Sequence, residues 1–295
     1  MVTKNKYSWI IHLVFVLMCL TFIIPMVYVI SVSLSSQQSI DQYGYQLIPH
    51  QFSLEAYRHV FKNPTQLIDS YQVTIFSSLV GTVLGVFVMA LVAYPLSRDC
   101  FYFRKQITFY IFFTMLFGGG LIPSYILNTQ YLGLGNNIWV YIFPHLANAF
   151  HIIILRTFFQ QLPQSLVEST KIDGAKELRI FFSIVLPLSK PVIATISLMT
   201  LLTKWNDWYT TLIYIRDTEL YTLQYMLQKI LREAEFIKNM TQGAVGAVNV
   251  DLSHEVPTEP VRFAMVMVAA GPMLVVFPFF QKYFTKGLTV GAVKG

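Results

Sequence analysis

Long apolar stretches without any Asp, Glu, Lys or Arg are the dominant pattern of this sequence. Three of them lie at residues 7–40, 70–97 and 263–281. Each is long enough for the roughly 20 helical residues that cross about 30 Å of hydrocarbon. Their apolar residues are continuous, whereas the strands of a membrane barrel alternate apolar and polar positions. The pattern therefore predicts membrane-spanning helices.

Two further stretches need more interpretation. Residues 106–155 are also uncharged, but the polar segment NTQYLGLGNN at 128–137 divides them into two helices and a short external turn. Another apolar stretch begins after Pro191, continues to about Ile215 and contains Lys204 and Asp207. We therefore predict an all-α polytopic membrane protein with six transmembrane helices. Their approximate positions are 9–34, 72–96, 106–127, 137–159, 190–215 and 262–282.

Composition supports this class. Hydrophobic residues make up 55% of the chain and charged residues 12%, about half the charged share of a globular domain. The first helix is longer than the apolar part of a signal peptide and no A-x-A site follows it, so we expect it to be retained. Cys19 and Cys100 lie in or beside apolar segments, which argues against a disulfide framework or a paired-cysteine metal site.

The positions of the charges predict the orientation. With the N-terminus inside, 13 of the 21 basic residues fall in inner segments, seven in outer segments and Lys204 in a span. Ten of the 15 acidic residues fall outside. Basic residues mark the cytoplasmic side, so both termini are expected in the cytoplasm. The net charge of +6 then reflects membrane topology, and we expect contact with lipid and not with nucleic acid.

The sequence lacks the motifs of common catalytic sites. It contains no G-x-x-x-x-G-K-[ST] phosphate loop, no H-E-x-x-H metal motif and no G-x-S-x-G nucleophile motif. His145 and His151 are six residues apart, which is the wrong period for one helical face, so packing or pore-lining roles are favoured over metal ligation. We expect no catalytic residue, metal or cofactor in this chain. Energy for uphill transport would have to come from another chain.

One polar hairpin stands out on the predicted cytoplasmic side. LPQSLVESTKI follows a helical pattern, Asp173-Gly174 interrupts it, and a second short helix leads to Pro187. The stretch resembles the cytoplasmic motif of permease subunits of ABC-type importers, which is E-A-A, three residues, G, nine residues and I-x-L-P. Both alanines of that motif are replaced here by small residues. The matching positions are Glu168, Gly174, Ile184, Leu186 and Pro187, and Ser169 and Thr170 stand where the motif has alanine.

This resemblance implies that residues 161–187 form a coupling loop, with Asp173 beside its glycine, that docks onto a separate ATPase. It implies two such ATPases using ATP and Mg²⁺, a second permease subunit that we expect to be non-identical, and an extracytoplasmic solute-binding protein. The expected location is the bacterial cytoplasmic membrane. The expected regions are 1–71, an N-terminal helix and extracytoplasmic segment; 72–283, the core transmembrane domain; and 284–295, a cytoplasmic tail.

Three further segments are similar to the maltose-type branch that imports carbohydrates. They are WNDWYTTLIYIRDTELYTLQ, the tail QKYFTKGLTVGAVKG and GGGLIPSYILNTQYLGLGNNIWVYIFP, the last typical of carriers of polysaccharide-derived oligosaccharides. We expect some residues of the fifth span to contact sugar, with indole faces stacking on sugar rings and Lys204 pairing with Asp207 or with a uronic acid. These residues are Lys204, Trp205, Asn206, Asp207 and Trp208.

Other functions are open at this point. An importer of another solute, such as peptides, would share the hairpin but is disfavoured by the tryptophan-rich fifth span. An integral-membrane enzyme is disfavoured because no polar constellation converges at one membrane face. A secondary transporter would carry several ionisable residues inside its spans, whereas Lys204 and Asp207 are the two that the sequence offers.

Overall fold

The computed structural model describes residues 8–172, 174–243 and 259–292. Within them, paired extended backbone is limited to an isolated bridge between Ser35 and Phe52, and the regular elements are helices. The predicted all-α class is confirmed. The helices are α1 (Ser8–Ser33), α2 (Gln37–Tyr43), α3 (Glu55–Val60), α4 (Pro64–Ser97), α5 (Arg104–Leu116), α6 (Leu121–Ile126), α7 (Ala149–Gln160), α8 (Gln164–Ile172), α9 (Glu177–Ile180), α10 (Leu186–Leu188), α11 (Lys190–Trp205), α12 (Tyr209–Tyr214), α13 (Leu223–Gly243) and α14 (Glu259–Ala292).

Three helices are long and apolar enough to cross a membrane without interruption. They are α1, α4 and the part of α14 from Glu259 to Phe279. All three coincide with predicted spans. The last helix continues to Ala292, so helical structure extends into the segment 284–295 that we predicted as a tail.

The other three predicted spans are present but bent. Helix α5 and the helical segment Leu121–Tyr131 meet at 112°, Ile138–His145 and α7 meet at 50°, and Glu177–Leu188 and α11 meet at 80°. Counting each bent pair as one span gives six. The fifth span was predicted as one helix over 190–215, and this is wrong: α11 ends at Trp205 and α12 begins at Tyr209.

The chain forms two compact units, of which the first comprises Met1–Leu67 and Met226–Pro272. Its described core is small. Ala56 of α3 packs against Val261 and Ala264 of α14, and Tyr57 and Val60 cover the contact.

The second unit comprises Ile68–Tyr225 and Met273–Gly295 and holds the larger core. Small residues of α4, Ala90 and Ala93, are fully buried there and let α7 and the segment after α8 approach closely. The large side chains that fill the core are Leu155, Ile180 and Phe181.

The orientation of the chain is a prediction that thiol labelling tests. Gly135, in the turn before the short helix at 138–141, and Lys176, before α9, are both exposed. In a background with exposed Cys19 and Cys100 replaced, Gly135→Cys should react with an impermeant maleimide in intact cells, and Lys176→Cys only after the membrane is opened. Reaction of Lys176→Cys alone in intact cells would reverse the assignment from loop charges.

Candidate functional site

A cavity of about 930 Å³ lies in the second unit, where the bent spans are interrupted. Its wall comes from α6 and the π-helical turn after it, from residues 143–151, and from the junction of α11 and α12. Aromatic rings and hydrogen-bonding groups alternate around it. Its lining includes Asn128, Phe143, His145, Lys204, Trp208 and Tyr209.

The junction between α11 and α12 is shaped by Asp207. Its carboxylate Oδ1 accepts a hydrogen bond from the backbone N–H of Thr210 at 3.0 Å, which satisfies a free donor in the first turn of α12. The predicted helical pair of Lys204 and Asp207 is therefore wrong. The chain has left helix α11 before residue 207, and the ion pairs within 4.0 Å among the described residues do not include these two.

Lys204 instead lies in a notch on α4. Its Nζ donates to the backbone carbonyl of Tyr141 at 2.9 Å, and the residue is 8% exposed. The notch exists because residue 81 is glycine: a Cβ there would lie 2.7 Å from Cε of Lys204. The ammonium group has three donors, so one hydrogen bond to Tyr141 leaves donors for a molecule in the cavity.

A chain of hydroxyl groups supports this junction from behind. The hydroxyl of Tyr141 lies 2.8 Å from that of Thr211 and donates to the carbonyl of Leu220. The hydroxyl of Thr211 lies 2.9 Å from that of Thr222, which donates to the carbonyl of Asp207. Buried hydroxyls that satisfy one another hold one arrangement of the backbone, so the cavity wall is fixed on this side.

The predicted substrate-path residues are only partly brought together. Trp208 is half-buried and lines the cavity, whereas Trp205 is buried and is not part of the lining. Asn206 is exposed to the cavity, but its amide nitrogen already donates to the carbonyl of Leu202 and its oxygen accepts from Gln224. Four residues of the predicted cluster therefore line the cavity, namely Lys204, Asn206, Asp207 and Trp208.

Several lining residues were not predicted from the sequence. Phe143 and Tyr209 are about half exposed and lie on the cavity wall, together with Tyr214, whose ring stacks on Tyr125. The two histidines, expected to pack or to line a pore, do line the cavity, and His151 lies 3.5 Å from the hydroxyl of Thr200. Among the described residues, His, Cys, Asp and Glu side chains form no group of three that could hold a metal ion.

The hairpin forms a second candidate site. Helix α8 ends in a turn in which Gly174 N–H donates to the carbonyl of Lys171 and Ala175 N–H to that of Thr170. These two bonds define a Schellman motif, which requires a left-handed residue after the helix. Gly174 has φ +79, so the predicted break of the helix at this glycine is confirmed. Asp173, the residue before it, lies outside the described residues.

The hairpin presents polar and apolar groups outward. Glu168 and Ser169 are exposed, and the hydroxyls of Ser169 and Thr170 bond back to the carbonyl of Leu166. Val167 and Ile180 are buried beneath, whereas three large apolar side chains face outward. Their exposed fractions are 44% for Leu166, 85% for Ile172 and 67% for Leu178. We refer to these three exposed side chains as the apolar patch of the hairpin.

The remaining motif residues connect this hairpin to the cavity. Ile184 lies in a π-helical turn, Phe181–Val185, and Leu186 and Pro187 form α10. The chain then bends by 80° into α11, whose far end carries Lys204. The structure thus places the two predicted groups at opposite ends of one helical path and not in one site.

Three comparisons with known proteins bear on this arrangement. Residues 73–290 match the family described as binding-protein-dependent transport system inner membrane component. The chain is 39% identical over 283 residues to the polygalacturonan/rhamnogalacturonan transport system permease protein YtcP of Bacillus subtilis, covering 96% of this chain and 95% of the relative. It is 39% identical to protein LplC of the same organism, covering 92% and 90%.

A solved structure has the same fold. The crystal structure of a bacterial ABC transporter involved in the import of the acidic polysaccharide alginate contains a chain that superimposes with a TM-score of 0.79 at 28% sequence identity. The match covers 96% of this chain and 98% of that one. The six-span architecture, including its bent spans, is therefore that of a transporter subunit.

The notch at Gly81 generates a prediction. Gly81→Ala should displace the end of the Lys204 side chain and lower the unfolding temperature in detergent, because the buried ammonium then loses its hydrogen bond to Tyr141, a loss of about 1.5–3 kcal/mol. Gly271→Ala is the control, since nothing lies within 4 Å of the added carbon. In a Lys204→Ala background, Gly81→Ala should cause no further loss. Equal losses with and without Lys204 would contradict this packing.

Proposed function

The chain belongs to the family of binding-protein-dependent transport system inner membrane components. From this premise we propose that it is one permease subunit of an ATP-driven importer in a bacterial cytoplasmic membrane. It forms half of the path through which the importer carries an oligosaccharide. The observation that carries the proposal is the cavity of about 930 Å³ at the interrupted helices. Pockets of this size hold a ligand of a few rings.

The cavity wall suits a carbohydrate. Sugar rings present apolar faces and a rim of hydroxyls, and the wall offers aromatic rings at Phe143, Trp208 and Tyr209 beside amide and hydroxyl groups at Asn128 and Thr203. The Bacillus relative is named for polygalacturonan and rhamnogalacturonan transport, and the solved homologue belongs to an alginate importer. These names favour oligosaccharides derived from polysaccharides.

The charges of the cavity favour cargo that contains uronic acids. The charged side chains that line it are Lys204 and one carboxylate, Asp207. That carboxylate is engaged with the N–H of Thr210, whereas Lys204 keeps free donors. A cation in a partly desolvated site recognises a carboxylate through charge-assisted hydrogen bonds. Lys204 is thus the proposed counter-charge for a sugar carboxylate.

The energy for import enters through the hairpin. We propose that the apolar patch of Leu166, Ile172 and Leu178 docks onto a cytoplasmic ATPase, with Glu168 as a polar contact beside it. Two such ATPases, a second and non-identical permease subunit and an extracytoplasmic binding protein complete the importer. ATP and Mg²⁺ are bound by the ATPases, and both termini of this chain lie in the cytoplasm.

Substitutions in the cavity test the cargo. In assembled importers, Lys204→Met should lower binding-protein-dependent uptake of a galacturonic acid oligosaccharide about tenfold or more, since a hydrogen bond to a charged group contributes about 1.5–3 kcal/mol. Trp208→Ala should lower uptake by loss of stacking. Trp9→Ala, which removes an exposed indole of α1, is the control. Wild-type uptake by both cavity variants would remove these residues from the path.

Substitutions at the hairpin turn test the coupling. Gly174→Val should keep the chain in the membrane but reduce uptake and co-purification of the ATPase, because a β-branched residue is disfavoured at positive φ. No atom lies within 4 Å of the position that its Cβ would take, so the strain comes from the backbone alone. Gly174→Asn, which tolerates this conformation, should retain most activity. Normal uptake by the valine variant would remove the hairpin from the coupling path.

A further inference from the structure

Glu177, the first residue of α9, joins three elements of the second unit. Its Oε1 lies 2.6 Å from Nζ of Lys171 on α8. Its Oε2 accepts a hydrogen bond from the hydroxyl of Tyr94 on α4 at 2.5 Å. One carboxylate thus closes the hairpin across the turn at Gly174 and also attaches it to a membrane-spanning helix. Glu177 is outside the motif that the sequence resembles.

Stability alone does not account for both bonds. The side chains of Lys171 and Glu177 are 40% and 51% exposed, and an exposed ion pair contributes little to folding. Tyr94 is different, because it is 8% exposed and its ring lies 5.2 Å from that of the buried Phe181. Its hydroxyl is fixed by the core, so the bond to Glu177 is anchored on the α4 side.

The core of the contact between α4 and the hairpin segment is apolar. Ala90 and Ala93 of α4 share one core with Val167, Ile180 and Phe181. Apolar burial is non-directional, so this contact resists separation but permits sliding. A hydrogen bond requires defined distances and angles. The Tyr94–Glu177 bond therefore fixes the register of the hairpin against α4 itself, beside a hydrogen bond that Asp99, just beyond the end of α4, accepts from Gln164 of α8.

Helix α4 also reaches the cavity. Met89 lines it, and Gly81, about 20 Å from Tyr94 at a rise of about 1.5 Å per residue, forms the notch for Lys204. The helix is continuous from Pro64 to Ser97. A displacement applied at Tyr94 therefore arrives at the cavity wall without an intervening loop to absorb it.

We propose that Glu177 is a positioning residue for energy coupling, which ties the hairpin to α4 so that hairpin movement shifts the cavity wall at Met89 and Gly81. The proposal rests on the proposed docking of the hairpin to an ATPase. Loss of the tie leaves docking intact, because the outward patch of Leu166, Ile172 and Leu178 is unchanged. ATP hydrolysis then continues while fewer molecules are imported for each ATP.

The test uses the complete importer in proteoliposomes with its loaded binding protein. Tyr94→Phe and Glu177→Gln should keep binding-protein-stimulated ATP hydrolysis within about twofold of wild type and lower uptake per ATP about fivefold or more. Lys171→Arg, which preserves the charge opposite Glu177, should behave as wild type. Tyr102→Phe is the matched control, because it removes the same hydroxyl from a residue that is 82% exposed.

Uptake and hydrolysis are both expressed per assembled complex, as measured by co-purified ATPase. Wild-type uptake per ATP in Tyr94→Phe and Glu177→Gln would overturn the proposal, and so would a loss confined to the amount of assembled complex. Parallel loss of ATPase co-purification and hydrolysis would also overturn it, since that result assigns Glu177 to docking. Gly174→Val separates the two proposals: if it transports normally, the docking role of the hairpin itself fails.

Discussion

The structure depends on how backbone N–H groups are satisfied where helices break at membrane depth. An unpaired peptide group in hydrocarbon costs several kcal/mol, so irregular backbone is tolerated there only inside protein or beside a cavity. Here short polar side chains supply the partners. Asn137 accepts from Trp139 N–H, Asn148 from His151 N–H and Asp207 from Thr210 N–H. Asn148 lies at the 50° bend before α7 and Asp207 at the break between α11 and α12, and both line the cavity.

The caps also explain how a polar cavity and a rigid frame occur in one unit. Helix α4 has no such break over its 34 residues, and its alanines pack against the hairpin segment. The interrupted spans provide ligand groups around the cavity, and the continuous helix α4 provides the notch in which Lys204 lies. The bent spans thus supply groups that can bind a ligand, and α4 supplies an unbroken helix.

The sequence predicted the spans well because a span is recognised from the average hydrophobicity of about 20 residues. An uncharged run of 20 residues indicates a crossing whatever its local geometry, so α1, α4 and α14 were found and the bent pairs were found as single helices. The breaks depend on individual side chains. Asp207 was interpreted as a helical partner of Lys204, three residues away, and nothing in the local pattern distinguished that role from capping α12. The broken helix also separated Trp205 from Trp208.

The hairpin was predictable for a different reason. Its turn requires positive φ, and Gly174 is visible in the sequence as the residue that meets this requirement. Glu177 gave no such signal, because its partner Tyr94 is 83 residues away and only the folded core brings them together. The aromatic lining residues Phe143 and Tyr209 were missed for the same reason. Several helices contribute to the cavity wall, so its residues do not recur at a regular spacing along any one helix.

The burial of Lys204 links the fold to the choice of cargo. Among the described residues no carboxylate lies within 4.0 Å of its ammonium group, and a buried charge with incomplete pairing is costly. The carbonyl of Tyr141 offsets part of that cost through a dipole. Asp207 is near enough to act on the ammonium charge without touching it, and a carboxylate entering the cavity would add the direct partner that a neutral sugar lacks. Under the proposed function, selectivity for an acidic sugar would follow from this cost, because a site built for one polar group rejects a ligand that lacks it.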